Sequence, residues 1–511
     1  MLDGQDPTEL AANPMGRHRM TSPRVALIGV LAAIAFAVAG CGGGGTSGVS
    51  SESGASLITD KALAFVSVES DLHSSQWGKI DDLSRKFPGR DKALAQVKQA
   101  LAKQGLDRKR DIDPALGPEV DIAVASGPTL DQTAFAFLTK PDDAGKFKKL
   151  VKKLDAIDSD STPTVVRKVN GWYVAADSNA AIDRVLKGSG GALSDQGTFK
   201  DALGKLPDDA LAKAFVNGQQ LAAVLRDAAQ ESSGPFDPSA VGLDKLDFIA
   251  ASLGAEDDGV RLKGAVSGSG ASSFGTGNYA SKLIDGVPGD ALAFLTLRGG
   301  GLTERLRKLE SNQLFAQALR QLQTTTGVSF DELLDLFANE VAFYVRPGAG
   351  IPELSLVLDP ANPDKALATL NRLAARIAVL SGGRVSSGTQ AGRKVRTIDF
   401  GPLAVHYAAL DGKVLITSGV SGIADYGSGS KLTDSADFTS AKAAAGLPDS
   451  NGGFIYLDLK SGIPLIESYA GLAGATLPEE VTANLRPLRS LLAWIAGSGA
   501  TRTFDVFLEI K

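Results

Sequence analysis

Lys61-Ala62-Leu63-Ala64-Phe65-Val66-Ser67-Val68 returns as Asp290-Ala291-Leu292-Ala293-Phe294-Leu295-Thr296-Leu297. Both stretches are short and rich in apolar residues, as half-buried or buried β-strands are. Four more anchors follow in the same order. Glu119-Val120 matches Glu340-Val341, and Pro141-Asp142 matches Pro363-Asp364. Leu193-Ser194-Asp195 with Phe199 matches Leu432-Thr433-Asp434 with Phe438, and Leu206-Pro207-Asp208 matches Leu447-Pro448-Asp449. The offset drifts while the order holds, so loops differ and the units correspond. A period above 200 residues is far too long for a solenoid and reads as two copies of one domain-sized unit.

Each copy reads alike. Ala62 to Val68 is a strand, and residues 72–104 carry two helical patterns broken at Pro88-Gly89. Val120 to Ala125 and Thr133 to Thr139 read as strands joined through Gly127-Pro128. Asp142 to Leu154 is a helix, with carboxylates at its start and lysines beyond, which suits the helix dipole. Val165 to Val169 and Trp172 to Ala176 form a hairpin turned at Asn170-Gly171. In the second copy, 341–345, 354–358, 395–400, 404–409, 414–417 and 454–457 are strand-like, with turn signals at Asp411-Gly412 and Asn451-Gly452. The last strand, 504–510, alternates except at Phe507. Short turns favour antiparallel pairing. The expected class is α+β: two tandem copies, each a mainly antiparallel sheet with inserted helices. Repeat 1 spans 58–268, repeat 2 spans 280–511, and the Gly/Ser-rich stretch between them (269–279) reads as a linker that favours two lobes.

The chain opens differently. Arg17, Arg19 and Arg24 precede an apolar run, Val25 to Ala39, that is too short for a comfortable membrane span. It ends in Val38-Ala39-Gly40-Cys41, which resembles the lipobox of bacterial lipoproteins. Residues 1–40 therefore read as a signal peptide, with Met15 or Met20 as possible true starts. Cys41 is the expected lipidation site, and 41–57 is a Gly/Ser-rich tether. Lipidation would use the only cysteine, leaving a disulfide-free fold that is large enough to need none. Removing residues 1–40 takes away equal numbers of basic and acidic residues, so the net charge stays at −5. Mild acidity without a basic cluster argues against nucleic acid. The expected location is extracytoplasmic, on the cell membrane.

The lipobox, the tether and the repeated Ala-Leu-Ala-Phe strand together resemble the bacterial lipoproteins of the domain-of-unknown-function 3352 family. The resemblance implies no activity, cofactor or catalytic residue.

Candidate chemistry is sparse. His406 sits in a strand beside Val405 and Tyr407, and His73 sits near a helix start; neither has a visible partner. The two histidines beyond residue 40 and one lipidated cysteine leave no tetrahedral zinc pattern, and no metal or cofactor is expected. Ser428-Gly429-Ser430-Lys431 matches Ser-x-x-Lys, in which Lys431 would activate Ser428, but the companion motifs of penicillin-interacting enzymes are absent. Gly268-Ser269-Gly270 with Gly275 and Gly277 lacks the Lys-Ser/Thr pair of a phosphate loop. Asp155, Asp158 and Asp160 lack the glycine and glutamate of a calcium loop. Glu119 and Glu340 recur as a pair, but a turn or edge role suffices for each. Trp77, Trp172 and Trp494 do not cluster in sequence. The apolar stretch Ile463 to Ala475 reads as core or as a flap over an apolar pocket.

The functional expectation is a non-enzymatic envelope lipoprotein, anchored through Cys41, that binds an unknown envelope protein or an apolar ligand. One alternative is a carrier of apolar molecules such as lipids. The other is a serine-dependent hydrolase using Ser428 and Lys431.

Overall fold

Phe65 and Phe294, the aromatic residues of the repeated strand, each sit at the centre of an apolar core. Phe65 packs edge-on against Phe199 at 5.9 Å, and Phe199 against Phe215 at 5.1 Å. Phe294 meets Phe454 at 5.3 Å, and Phe438 meets Tyr456 at 5.0 Å. Full burial of each such ring stabilises the fold by about 1.5–3 kcal/mol. The computed structural model describes residues 52–127, 132–157, 162–231, 242–275, 277–348, 350–401, 403–472 and 474–511. The signal-peptide reading, Cys41, most of the tether, Asp158 and Asp160 lie outside the described residues.

In chain order the strands are β1 (Ala62–Glu69), β2 (Glu119–Ala125), β3 (Ala134–Thr139), β4 (Val165–Val169), β5 (Trp172–Ala176) and β6 (Ala212–Asn217). Next come β7 (Phe248–Glu256), β8 (Gly259–Ser267), β9 (Ala293–Arg298), β10 (Glu340–Arg346), β11 (Glu353–Leu358) and β12 (Arg384–Gln390). The last are β13 (Arg393–Asp399), β14 (Ala404–Leu410), β15 (Lys413–Thr417), β16 (Gly453–Asp458), β17 (Leu488–Ser498) and β18 (Thr501–Ile510). Every pairing is antiparallel, and together they make one 18-stranded sheet. From the middle outward, one half runs β8-β7-β6-β1-β2-β3-β5-β4. The other runs β18-β17-β16-β9-β10-β11-β15-β14, then adds β13 and β12 at its edge.

The halves join where β8 pairs with β18 over nine residues, from Thr501 opposite Ser267 to Glu509 opposite Gly259. The expectation of two lobes is therefore corrected. The Gly/Ser stretch forms a short 3-10 helix, Ser269–Phe274, beside a sheet that continues past it. The reason is long-range pairing between residues more than 230 apart in sequence, which no local glycine signal can foretell.

The core face of the sheet carries both aromatic clusters. Segments 55–58, 181–206 and 283–291, together with helix Ala436–Ala445, cover it. The outer face carries other helices. Phe147, from helix Ala144–Ile157, packs on Phe137 and Tyr173. Helix Pro363–Ser381 begins as its sequence dictates: the Asn362 side chain accepts the Lys365 amide at 3.0 Å, and Pro363 occupies the first turn. It ends at Gly382, whose φ of 72° favours glycine. Leu83, from helix Ser75–Arg85, packs with Ala255 and Ile510 and so clasps both halves.

Candidate functional site

Residues alternate between the two faces of a strand, so register alone defines the outer face at the middle of the sheet. Val68, Ala212, Leu253 and Leu262 stand in line across β1, β6, β7 and β8. The line continues through Val506, Ala493, Ile455 and Leu295 on β18, β17, β16 and β9. All eight are apolar and none is buried; Leu262 and Ile455 are each 39% exposed. The row spans seven strand spacings, about 34 Å. The adjacent row holds Ala214, Ala251, Gly264, Phe504 and Ile495. Here the Phe504 ring lies on Gly264, where an added Cβ would come within 2.1 Å of it. No side chain in either row offers a hydrogen bond.

Two helices flank this floor. Gly218–Glu231 lies against β1, β6 and β7, and Leu459–Leu472 lies against β16 and β17. No described residue of either helix belongs to the aromatic cores. The stretch from Ile463, expected as core or flap, is mainly this second helix. It contains Pro464, none of its described residues is buried, and Tyr469 Oη donates to the Gly348 carbonyl at 3.4 Å. Ala473 lies outside the described residues. Sequence reasoning missed the floor. Its signal was present in the unbroken apolar runs Phe454-Ile455-Tyr456-Leu457 and Leu491 to Ile495, since apolar residues at successive strand positions put apolar side chains on both faces.

Polar groups gather on the core face instead. Glu69 stands opposite Glu119, and Ser67 opposite Asp121. Asp121 has no exposed surface, and among the described residues no donor meets either of its carboxylate oxygens in hydrogen-bond geometry. Burial, then the charge of Glu119, holds its carboxyl well above the usual range. Gly54 lies on it so closely that a Cβ there would sit 1.6 Å from Oδ2. Burial raises Glu69 to about 7, although its carboxylate accepts the Asp71 amide. In the other half, Glu340 is fully engaged. It accepts the Ser281 hydroxyl, the Lys282 and Leu283 amides at 2.9 and 3.2 Å, and the Thr296 hydroxyl at 2.8 Å. Glu340 thus pins the segment leading into β9. Glu119 and Glu340 lie in different halves, so the fold does not bring them together as a carboxylate pair.

The remaining candidates are structural in their contacts. The Ser428 hydroxyl faces the Ala424 and Asp425 carbonyls at 2.7 and 3.0 Å, and no hydrogen bond joins it to Lys431. The Lys431 amide donates to Asp434. His406 Nδ1 pairs with Thr397 Oγ1 at 2.9 Å, and burial lowers its pKa. The His73 amide donates to Asp71. Asp155 accepts the Thr164 amide and hydroxyl. Trp77 Nε1 donates to the Glu69 carbonyl, Trp172 lies beside Gly54, and Trp494 packs on the second core, so the three stay apart. Among the described residues, no three His, Cys, Asp or Glu side chains are placed to hold a metal. Among them, too, no helix is long and apolar enough to cross a membrane.

The family described as a protein of unknown function (DUF3352) matches residues 152–510, from within helix Ala144–Ile157 almost to the last residue. The chain belongs to this family. The match therefore covers β4 to β18, the whole joint and the apolar floor apart from Val68. No curated protein matches the chain. Among solved structures, crystal form IV of TP0453 aligns with a TM-score of 0.22 and 15% identity over 43% of this chain and 77% of that one. Crystal form I gives 0.24 and 14% over 45% and 79%, and form III gives 0.22 and 12% over 45% and 93%. Likenesses this distant carry no argument about function.

Proposed function

We propose that this DUF3352 protein is an extracytoplasmic lipoprotein, anchored through Cys41, that binds a long-chain apolar ligand on the outer face of its sheet without catalysis. The observation that carries the reading is the unbroken apolar row from Val68 to Leu295, flanked by two helices and left partly exposed. A contiguous apolar surface left open to solvent is one mark of a ligand-binding or partner-binding site. A floor without donors or acceptors selects a ligand that asks for none. Magnitudes set the chain length. Each buried methylene contributes about 0.8 kcal/mol. Association costs about 4–15 kcal/mol. A chain of about eight carbons barely offsets that cost, whereas one of about sixteen exceeds most of it. The bonds made by Ser428 favour this reading over the hydrolase.

Two experiments test it. A Cys41→Ala variant should lose fatty-acid labelling and leave the membrane fraction; unchanged labelling rules out the anchor. Mild extraction followed by mass spectrometry should find a lipid in near-stoichiometric amount. A reproducible protein partner with no lipid would replace the ligand reading.

A further inference from the structure

Helix Ala144–Ile157 concentrates positive charge in an acidic chain. It carries five lysines and one aspartate, whereas the whole chain has a net charge of −5, which leaves −9 for the rest. Phe147, Leu150 and Val151 form its buried line. Two lysines flank that line and are held in place. Lys146 Nζ donates to the Arg110 carbonyl at 2.8 Å, and Lys153 Nζ pairs with Asp111 at 3.0 Å. Lys148, Lys149 and Lys152 fall on the opposite side of the helix by its period, about one turn from end to end, and all three are exposed. Among the described residues, no ion pair or hydrogen bond engages them. Three nearby carboxylates are engaged elsewhere. Asp143 accepts the Gly145 and Lys146 amides, Asp155 accepts Thr164, and Asp111 is held by Arg110 as well as Lys153.

This arrangement costs the helix stability. Lys148 and Lys152 stand four residues apart, as do Lys149 and Lys153, and like charges at that spacing destabilise a helix. Other helices of the chain avoid the cost. Lys365 pairs with Asp335 at 2.7 Å, Lys442 with Asp449 at 2.6 Å, and Lys460 with Asp437 at 2.9 Å. The repulsion on helix Ala144–Ile157 is therefore one that an anion from outside would relieve. Two more exposed cations stand beside it. Lys168 Nζ lies 5.6 Å from the centre of the Tyr173 ring, and that ring meets Phe147 at 5.4 Å. Lys140 reaches the β4–β5 turn, where a Cβ on Gly171 would lie 3.7 Å from its Cε. Register puts the helix on the outer face: Tyr173 stands opposite Thr139, Thr139 opposite Val120, and Val120 opposite Val68. The lysines thus stand beyond the Val68 end of the apolar floor, on the same face of the sheet.

We propose that the face formed by Lys148, Lys149 and Lys152 binds the headgroup layer of an anionic lipid bilayer. Its positive charge complements that layer, which repels the negative remainder of the chain, so the attraction selects this face. The choice of a bilayer among polyanions rests on the anchor reading above; the lysine face does not. The test uses the full chain with Cys41→Ser, so that no acyl chain holds it, and phosphatidylcholine vesicles with or without a minority of phosphatidylglycerol. Flotation should rise with phosphatidylglycerol and fall back at about 1 M salt, where screening acts within about 3 Å. Lys148→Gln, Lys149→Gln and Lys152→Gln together should lower the phosphatidylglycerol-dependent part about a hundredfold, at about fivefold per lysine. Their urea midpoint should not fall, because repulsion is removed; a fall would mean that the fold itself uses these lysines, against the proposal. A matched control, Lys365→Gln with Lys442→Gln and Lys460→Gln, changes the net charge equally and should keep the binding. Equal losses in the two triple variants overturn the proposal, since net charge and not this face then binds. Flotation that ignores phosphatidylglycerol overturns it too and leaves an acidic protein as the partner to seek. Fatty-acid labelling at Cys41 tests the anchor by itself, so either reading can fail without the other.

Discussion

Arg261 on β8 holds Asp505 on β18 across the joint between the halves, Nη1 to Oδ1 2.8 Å. The same guanidinium donates to the Ala444 and Ala445 carbonyls at the end of helix Ala436–Ala445, pairs with Glu256, and lies 4.7 Å from the Phe507 ring centre. Burial pushes the Asp505 carboxyl above its ordinary value even with Arg261 beside it. Arg261→Met should therefore destabilise the fold by about 3 kcal/mol, because it leaves a mostly buried carboxylate unpaired. Arg261→Met with Asp505→Leu should recover most of the loss. Urea unfolding checks both; equal losses in the single and double variants would contradict the account.

Glu340 makes a second stability prediction. Glu340→Ala strands the Ser281 hydroxyl, the Lys282 and Leu283 amides and the Thr296 hydroxyl. A loss of about 3–5 kcal/mol follows from several unpaired buried donors. Hydrogen exchange should quicken first in 279–286, the segment Glu340 holds. Uniform quickening across the sheet would show that the residue does something else.

Stability should fall as pH rises toward neutrality. Glu69 titrates near 7 in the fold against an ordinary 4.5, so the folded state binds more protons over that window. An acid with a raised folded pKa favours the fold at low pH and disfavours it once both states are ionised. The loss should accrue between about pH 4.5 and 7, with Asp121 acting in the same direction. Glu69→Gln should flatten the decline in urea midpoint between pH 5 and pH 8. An unchanged slope would place the proton uptake elsewhere.

Local structure was legible wherever one residue type forced it. Asn170 has a φ of 48° in its hairpin turn, and Asp411 a φ of 49° in its own. The break in alternation at Phe507 has a physical reason. Phe507 joins the second core, while Asp505 beside it on the same face stays buried through Arg261. Asn451-Gly452, read as a turn signal, lies in the bend before β16, where the Asn451 side chain accepts the Gly453 amide at 3.0 Å and the Asn451 backbone bridges to Tyr279. Strand β12, Arg-Val-Ser-Ser-Gly-Thr-Gln, escaped notice because an edge strand with both faces exposed carries no apolar alternation. The joint and the apolar floor were hidden for a shared reason. Both come from pairing β8 with β18, which only the folded sheet reveals.

The most direct test of the account is the amount of lipid bound by Leu262→Glu. Leu262 is at the middle of the floor and 39% exposed, so a carboxylate there reaches water and the fold persists. A charge on the floor should abolish long-chain binding, because the ligand would have to bury it. We expect the wild-type chain to retain near-stoichiometric lipid after gel filtration, and Leu262→Glu to retain less than about a tenth, for a penalty above roughly 1.4 kcal/mol. Equal lipid in the two proteins, with unchanged unfolding midpoints, would contradict the central claim.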